Sequence, residues 1–178
     1  GAVVDGVLYL MSKTNVWAYN ASLDSWIQKG SMPDKIYGDK ISSASCVAAD
    51  GKILVMGAVE DGPSQTLLNL AGLVHVYDPV TDSWTEATPA TPRAYVGIEA
   101  VGKNVYVAGG IDNLSYRPTN RMQVFDIRTG IWKEKAPMPN AVYNMAFVEA
   151  GGRIFFFKGT DGTRNVEETW IYDPAVDP

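Results

Sequence analysis

The sequence of 178 residues contains a single cysteine, Cys46, and a single histidine, His75. One cysteine excludes an intrachain disulfide framework and a zinc site made of cysteines, because both need at least two thiols. No apolar run approaches the roughly 18 residues that a membrane helix requires, so we expect no membrane partner. Basic residues are also few: 15 Lys and Arg against 20 Asp and Glu give a net charge of −5, which argues against a nucleic-acid partner bound through a basic surface.

The remaining composition is that of an ordinary globular domain. Hydrophobic residues make up 46% and charged residues 20% of the chain, whereas a disordered chain would be poorer in apolar residues. With one cysteine and no basic segment ahead of an apolar one, we expect a cytoplasmic protein.

A tryptophan recurs three times in the same setting. Trp26, Trp84 and Trp132 end the segments LDSW, TDSW and RTGIW, and they lie 58 and 48 residues apart. An aromatic residue precedes each tryptophan by seven positions, and a fourth, Tyr172, lies in the segment WIYDPAVDP. Self-similarity of this kind is the signature of a repeat architecture.

Two further landmarks recur in the same order. An apolar segment led by glycine appears as DGVLYLM, DGKILVMG, GKNVYVAGG and GGRIFFFKG, and proline turns close the units at Pro33, Pro92 and Pro139. β-Branched and aromatic residues dominate between Asp-Gly, Gly-Gly and Asp-Pro turns. Each unit is therefore predicted to form four short strands.

A unit of about 50 residues with Gly-Gly after its second strand, an aromatic-Asp pair in its third and a tryptophan six or seven residues later resembles the kelch repeat. The third unit matches best, with Gly109-Gly110, Phe125-Asp126 and Trp132. The other units replace the glycine pair with Ser12-Lys13, Gly57-Ala58 and Lys158-Gly159. The resemblance covers essentially the whole chain. It implies an all-β fold, a kelch-type β-propeller whose units are radial blades of four antiparallel strands.

We expect one domain over residues 1–178, with blades at about 1–33, 41–92, 93–139 and 140–178. This makes about three complete blades and one incomplete blade. Because such repeats bury their faces only against neighbours, we expect a piece of a larger ring, completed by missing blades or by another chain. A complete four-bladed protein with irregular ends is the alternative.

The innermost strands predict how the blades pack. Alignment of the units places Gly1, Cys46, Gly97 and Ala146 at one position, where small side chains suit blades that converge on an axis. The large rings of the tryptophans and of the preceding aromatic residues suit the wedge between blades. Cys46 is accordingly interpreted as a small core residue rather than a nucleophile.

No catalytic constellation is apparent in the chain. His75, predicted to be partly exposed on a third strand, cannot supply the pair of imidazoles used by the copper propellers of the galactose-oxidase type. Neither a Ser-His-Asp set, nor HExxH, nor a phosphate-binding GxxxxGK[ST] is present. We therefore expect no enzyme activity, no catalytic or metal site and no cofactor.

A binding role has more support. In kelch propellers one face is built by the loops between second and third strands and by the residues that lead into the innermost strands. The loops here are 58–73, 111–121 and 160–166, and the first is predicted to be irregular with one helical turn at most. Aromatic and arginine side chains on a rigid rim are typical of interaction hot spots. The candidate partner-binding residues are Arg93, Tyr95, Tyr116, Arg117, Tyr143 and Asn144.

The leading hypothesis is a non-enzymatic protein-interaction module that presents its loops to a protein partner, as a scaffold or as a substrate-recognition part. The alternative is a fragment of a secreted carbohydrate-active or carbohydrate-binding propeller enzyme whose catalytic groups lie outside this chain.

Overall fold

The structure is a computed structural model that describes residues 1–12, 15–33, 44–56, 59–61, 68–70, 74–88, 90–112 and 115–177. Within these ranges the regular elements are all strands, as the composition of the repeats predicts.

Four antiparallel sheets follow one another along the chain and are numbered here as blades 1 to 4. Blade 1 consists of β1 (Ala2–Val4), β2 (Val7–Met11), β3 (Asn15–Asn20) and β4 (Ser25–Ser31). Blade 2 consists of β5 (Ser45–Ala49), β6 (Lys52–Met56), β9 (Val74–Asp78) and β10 (Ser83–Ala87), with a small hairpin of β7 (Val59–Asp61) and β8 (Leu68–Leu70) between β6 and β9.

A short strand, β11 (Arg93–Ala94), precedes blade 3 and pairs with β14 (Ile111–Asp112), which lies in the loop between the second and third strands of that blade. It consists of β12 (Gly97–Val101), β13 (Asn104–Ala108), β15 (Met122–Asp126) and β16 (Ile131–Lys135). Blade 4 consists of β17 (Ala146–Ala150), β18 (Arg153–Phe157) and β19 (Thr169–Tyr172). Three sheets of four strands and one of three confirm the predicted repeat.

The innermost strands of successive blades contact each other, β1 with β5, β5 with β12 and β12 with β17. This is the radial order of a propeller, and the small residues fit it. A Cβ atom on Gly97 would lie 1.5 Å from the ring of Phe147 in the next blade. Cys46 is half-buried against the core shared by blades 1 and 2, as a small packing residue should be.

Aromatic rings fill the wedge between neighbouring blades, as predicted. Tyr9 of blade 1 meets Tyr77 of blade 2 with ring centroids 6.1 Å apart, and Tyr106 of blade 3 meets Tyr172 of blade 4 at 5.5 Å. Phe125 of blade 3 is 1% exposed in the core that it shares with blade 2. Each fourth-strand tryptophan packs at a tilted angle against the aromatic residue of the third strand of its blade, with centroids 5.1, 5.0 and 4.9 Å apart in the pairs Tyr19–Trp26, Tyr77–Trp84 and Phe125–Trp132.

A tyrosine and an aspartate five residues later join adjacent blades through hydrogen bonds. The Tyr77 hydroxyl donates to Asp82 Oδ1 at 2.5 Å, and the same oxygen accepts the Gly30 N–H of blade 1 at 2.9 Å. Tyr172 and Asp177 repeat the arrangement, with Asp177 accepting the amide of Ala136 in blade 3 at 3.1 Å. We call this pair of hydrogen bonds the Tyr–Asp latch.

Blade 3 has Phe125 and Gly130 at the latch positions, which provide neither hydroxyl nor carboxylate. Other polar contacts tie it to blade 2. Trp132 Nε1 donates to the Thr88 carbonyl at 3.0 Å, and Arg128 pairs with Asp50 through two N–H···O contacts of 2.6 and 2.5 Å. The seam between blades 2 and 3 is therefore held differently from the other two.

The two glycines of blade 3 adopt left-handed backbone conformations and lie close to the backbone of neighbouring segments. Gly109 and Gly110 have φ of 62° and 96°, and a Cβ on either would lie 2.5 Å from a backbone carbonyl, that of Val142 or Ala94 respectively. In blade 4 the first position of the pair is Lys158, which adopts a φ of 55° despite its side chain. Lys158 therefore keeps the turn that glycine forms in blade 3, in a backbone conformation that is strained for a residue with a side chain.

Two sequence predictions were wrong. Part of the loop 58–73 forms the β7–β8 hairpin rather than a helical turn, with Val59 paired to Leu70; residues 62–67 and 71–73 lie outside the described ranges. His75 is 3% exposed rather than partly exposed, and it lies on β9, a central strand paired on both edges, with β6 and with β10.

The inter-blade position of Trp132 gives a stability prediction. Trp132→Ala should lower the free energy of unfolding by about 3 kcal/mol, because it removes a ring packed into the core between two blades. Trp26→Ala should cost about 1 kcal/mol, because Trp26 is 45% exposed and stacks on its own blade only. Urea unfolding of both variants measures the difference, and equal losses would contradict the wedge role.

The latch predicts a pH dependence. The hydrogen bonds from Tyr77 and Gly30 lower the pKa of Asp82 in the folded chain, so its stabilising contribution is present above about pH 4 and is lost as the pH falls through the folded pKa. Asp82→Asn should cost about 1 kcal/mol at pH 7 and flatten the loss of stability in acid. Asp24→Asn, which alters only a bond to Tyr19 of the same blade, is the matched control.

Candidate partner-binding surface

The segments that lead into the innermost strands bring three predicted residues together. The rings of Tyr95 and Tyr143 lie with centroids 6.2 Å apart, and the Asn144 N–H approaches the Tyr95 carbonyl at 3.4 Å. Tyr95 and Asn144 occupy equivalent positions and share a φ of 55°. Both tyrosines are half-buried and Asn144 is exposed, so part of each tyrosine and the Asn144 side chain are accessible on this surface.

The loop after β14 holds Tyr116 and Arg117 in a tight turn. Asp112 organises it: its Oδ1 accepts the Ser115 N–H at 2.9 Å, its carbonyl accepts the Tyr116 N–H at 3.0 Å, and its own N–H donates to the Arg117 carbonyl at 2.9 Å. Tyr116 has a φ of 53° and is 47% exposed, and Arg117 is exposed. Both side chains therefore project from a hydrogen-bonded turn.

The loop after β18 is built in the same way around Asp161. Its Oδ1 accepts the N–H groups of Thr163 and Arg164 at 2.8 and 2.9 Å and the Thr163 hydroxyl at 2.6 Å. These hydrogen bonds, that of the Thr163 hydroxyl foremost, hold the pKa of the Asp161 carboxyl well below its usual range. The loop borders the previous one, since a Cβ on Gly162 would lie 3.7 Å from Pro118 Cγ.

We call the surface formed by these two loops and by Tyr95, Tyr143 and Asn144 the loop face. Its two aspartates are engaged in their turns, and the side chains of Arg117 and Arg164 are exposed, with Arg164 Nε 3.4 Å from Asp161 Oδ2. In the described part of the chain, no hydrogen bond or ring contact joins Tyr116 or Arg117 to the Tyr95 group. The predicted residues thus form two separate groups on one face.

Arg93 does not belong to this surface, and its prediction as a partner-binding residue is wrong. It is 1% exposed, and its guanidinium donates to the carbonyls of Gly109 and Arg121 at 3.0 and 2.9 Å and to Gln123 Oε1 at 2.9 Å. Burial, followed by the nearby charge of Arg121, lowers the pKa of Arg93 to about 10. Because its guanidinium donates to three internal acceptors, Arg93 fixes the two ends of the blade 3 loop and is not exposed to a partner.

Two residues outside the predicted set belong to this region. Arg164 is exposed on a turn whose Asp-Gly signature predicts a fixed backbone. Gln123 is 5% exposed and connects Arg93 to Thr91 Oγ1 and Glu134 Oε1 at 3.2 and 2.8 Å. An amide in a buried strand position is the signal that could have identified it.

The described ranges hold no group of three or more His, Cys, Asp and Glu side chains suited to a metal ion. They hold no helix of the length and apolarity needed to span a membrane.

Comparison with known proteins agrees with this architecture. The Kelch motif family matches residues 92–139, which are blade 3 with its lead-in. Kelch-like protein 7 of Rattus norvegicus is 30% identical over 226 residues, covering 97% of this chain and 37% of that protein. Kelch-like protein 23 of Homo sapiens is 30% identical over 103 residues, covering 57% of this chain and 18% of that protein. The chain thus spans well under half the length of these relatives.

A solved structure described as that of YjhT has the same fold. It superposes with a TM-score of 0.79 at 18% identity and covers 97% of this chain and 61% of that one. The fold is a β-propeller, and its repeats are kelch repeats. The chain belongs to the kelch-repeat family.

The buried position of Arg93 predicts a loss of stability on substitution. Arg93→Ala should lower the free energy of unfolding by about 3 kcal/mol, because two carbonyls and Gln123 Oε1 lose a charged donor. Arg117→Ala, at an exposed side chain, should change it by less than about 0.5 kcal/mol. Thermal or urea unfolding distinguishes the two, and an Arg93→Ala variant as stable as the parent would show that the network is dispensable.

Proposed function

We propose that this chain is a protein-interaction module that binds a protein partner through its loop face, as a scaffold or as the substrate-recognition part of an assembly. The observation that carries the proposal is the exposure of Tyr116, Arg117 and Arg164 on turns whose backbones are fixed by Asp112 and Asp161. Little conformational freedom is lost when such side chains are covered, so more of their contact energy remains as affinity. The kelch-like relatives support an interaction role.

The charge of the loop face suggests the chemistry of the partner. The chain carries a net charge of −5, yet this surface presents two exposed arginines; Arg164 pairs with Asp161 of its own turn, so Arg117 is the arginine available to a partner. Arginine forms bidentate hydrogen bonds with carboxylates, and tyrosine supplies rigid contact area with a hydroxyl at its edge. We expect a partner segment that is acidic and hydrogen-bonding rather than basic.

The open faces of the first and last blades support the expectation of a larger ring. Exposed apolar side chains lie there, at Val3 and Leu10 of blade 1 and at Val148, Phe157 and Ile171 of blade 4. In the three seams described above, the corresponding faces are buried by a neighbour. Further blades, in the same polypeptide or in another, would cover these residues.

Site-specific photocrosslinking tests the loop face. A photoreactive phenylalanine analogue at position 116 should crosslink to a partner in cell extract, whereas the same analogue at Val80, an exposed turn residue between β9 and β10, should not. The partner captured in this way is then purified for a binding measurement.

The double variant Tyr116→Ala with Arg117→Ala should weaken binding of that partner at least about tenfold without changing the melting temperature, because both side chains are exposed. Val80→Ala is the matched control and should bind like the parent. Equal crosslinking from positions 116 and 80, or unchanged affinity of the double variant, would overturn the proposal.

A further inference from the structure

A polar groove of about 530 Å³ lies at the rim of blade 3, beside loop 111–121, and is called here the rim groove. One side is the end of that loop with the start of β15, residues 119–122, and the other is the end of β16 with the residues that follow, 134–137. The first residue of β15 pairs with the last residue of β16, so both sides lie at the end of the blade that carries the loop face. Asp112, which organises the exposed turn of loop 111–121, also lines the groove.

Hydrogen bonds fix the two sides of the rim groove to each other. The Met138 N–H donates to the Asn120 carbonyl at 2.8 Å, and Asn120 Nδ2 donates to the Met138 carbonyl at 3.1 Å. Glu134 is held from the protein interior, because its Oε1 accepts a hydrogen bond at 2.8 Å from Gln123, which is 5% exposed. A ligand therefore meets a groove whose walls are already ordered.

The polar side chains of the rim groove have hydrogen-bonding capacity left. Thr119 Oγ1 accepts the Arg121 N–H at 3.2 Å and keeps its hydroxyl proton as a donor, while Asn120 keeps Oδ1 as an acceptor. Arg121 approaches Glu134 Oε2 through Nε at 3.4 Å and keeps its two amino groups as donors. Within the described ranges no hydrogen bond engages these remaining groups. The groove thus offers both donors and acceptors to a ligand.

The charges of the rim groove balance. Two acidic and two basic side chains line it: Asp112, Glu134, Arg121 and Lys135. Arg121 and Glu134 pair with each other, and Asp112 accepts hydrogen bonds within its own turn. The Lys135 ammonium donates to the Asp177 carbonyl at 2.6 Å. A charged ligand would lose hydration without meeting a counter-charge that is not already engaged, so the groove favours a neutral one.

A peptide main chain has the chemistry that this groove requires. It is neutral and presents N–H donors and C=O acceptors at every residue. A sugar is also neutral and rich in hydroxyl groups, but the described lining residues include no aromatic side chain on which a sugar ring could stack. The position of the groove beside Tyr116 and Arg117 points to the same partner that the loop face binds.

We propose that the rim groove binds the main chain of the partner segment that contacts Tyr116 and Arg117, so that this segment runs from the loop face outward over the rim of blade 3. The proposal rests on the proposed function and extends it. The loop face selects the segment through its side chains, whereas the groove binds the adjoining residues through their backbone and tolerates a change of their side chains.

Photocrosslinking from the rim groove tests the path of the segment. A photoreactive phenylalanine analogue at Pro137, which is exposed, should crosslink to the partner captured from position 116, at residues adjoining the first crosslink. The same analogue at Lys133, exposed on β16 outside the groove, should not. If position 116 captures a partner and position 137 does not, the groove proposal fails while the loop-face proposal stands; capture from neither position overturns both. Capture from position 137 that disappears when glycans are removed from the partner would indicate a sugar ligand and overturn the groove proposal.

A synthetic peptide of the crosslinked segment tests main-chain recognition by fluorescence anisotropy. N-Methylation of the amides crosslinked from position 137 should weaken binding at least about tenfold, because each methyl group removes a main-chain donor. Alanine at the same residues should weaken it less than about threefold, because their side chains are not read. Equal effects of methylation and alanine substitution would refute main-chain recognition.

A pair of variants tests the groove from the side of this chain. Arg121→Met removes the guanidinium donors and should weaken binding of the same peptide at least about fivefold. Lys133→Met removes an equal charge outside the groove and should weaken it less than about twofold. Both side chains are exposed, so both melting temperatures should stay within about 2 °C of the parent value. Equal affinities of the two variants would show that the peptide does not enter the groove.

Discussion

The packing of one aromatic ring from each blade against the blade before it is the contact on which the rest of the molecule depends. Each sheet is only three or four strands wide and exposes two faces, so it has no core of its own. Tyr77, Phe125 and Tyr172 close the three wedges and define three shared cores. The tryptophans that stack on these rings and the latches beside them add to a contact that already sets the spacing of the blades.

The packed blades also fix the backbone of the loop face. Arg93 is buried beneath it and fixes the carbonyls of Gly109 and Arg121 at the two ends of the loop that carries Tyr116. The glycine pair allows that loop to leave β13 close to the lead-in of the next blade, where Gly110 donates its N–H to the Val142 carbonyl at 2.9 Å. The exposed side chains of the loop face therefore lie on a backbone that the buried guanidinium of Arg93 fixes from the protein interior.

The fold could be predicted from the sequence because its signals are periodic. Three periodic features indicate the same four-stranded unit: the spacing of the tryptophans, the glycine-led strands and the proline turns. Small residues such as Gly97 indicate which strand of each unit lies nearest the axis of the propeller. The site was less predictable. Arg93 and Tyr95 are two positions apart in the sequence, yet Arg93 is buried and Tyr95 reaches the surface. No sequence pattern distinguishes an arginine that donates to internal acceptors from an arginine that is exposed to a partner.

Other local features escaped prediction for related reasons. The Tyr–Asp latch depends on a backbone amide in another blade, which a pattern within one repeat cannot reveal. His75 carries a polar side chain on a strand that its neighbours cover on both edges, so composition suggested exposure where topology imposes burial. The β7–β8 hairpin lies in loop 58–73, which is longer than the corresponding loops 111–121 and 160–166 of the next two units.

The absence of the latch in blade 3 makes the three seams chemically unequal. Asp82 and Asp177 accept backbone N–H groups of the preceding blade and lie 3.9 Å from the ammonium groups of Lys29 and Lys135, whereas the middle seam has an ion pair between Arg128 and Asp50. Dissolved ions screen exposed charge pairs far more than hydrogen bonds beside packed rings. Added electrolyte therefore weakens the Arg128–Asp50 pair and the lysine pairs at Asp82 and Asp177 alike, while the packed rings and the backbone hydrogen bonds keep all three seams closed.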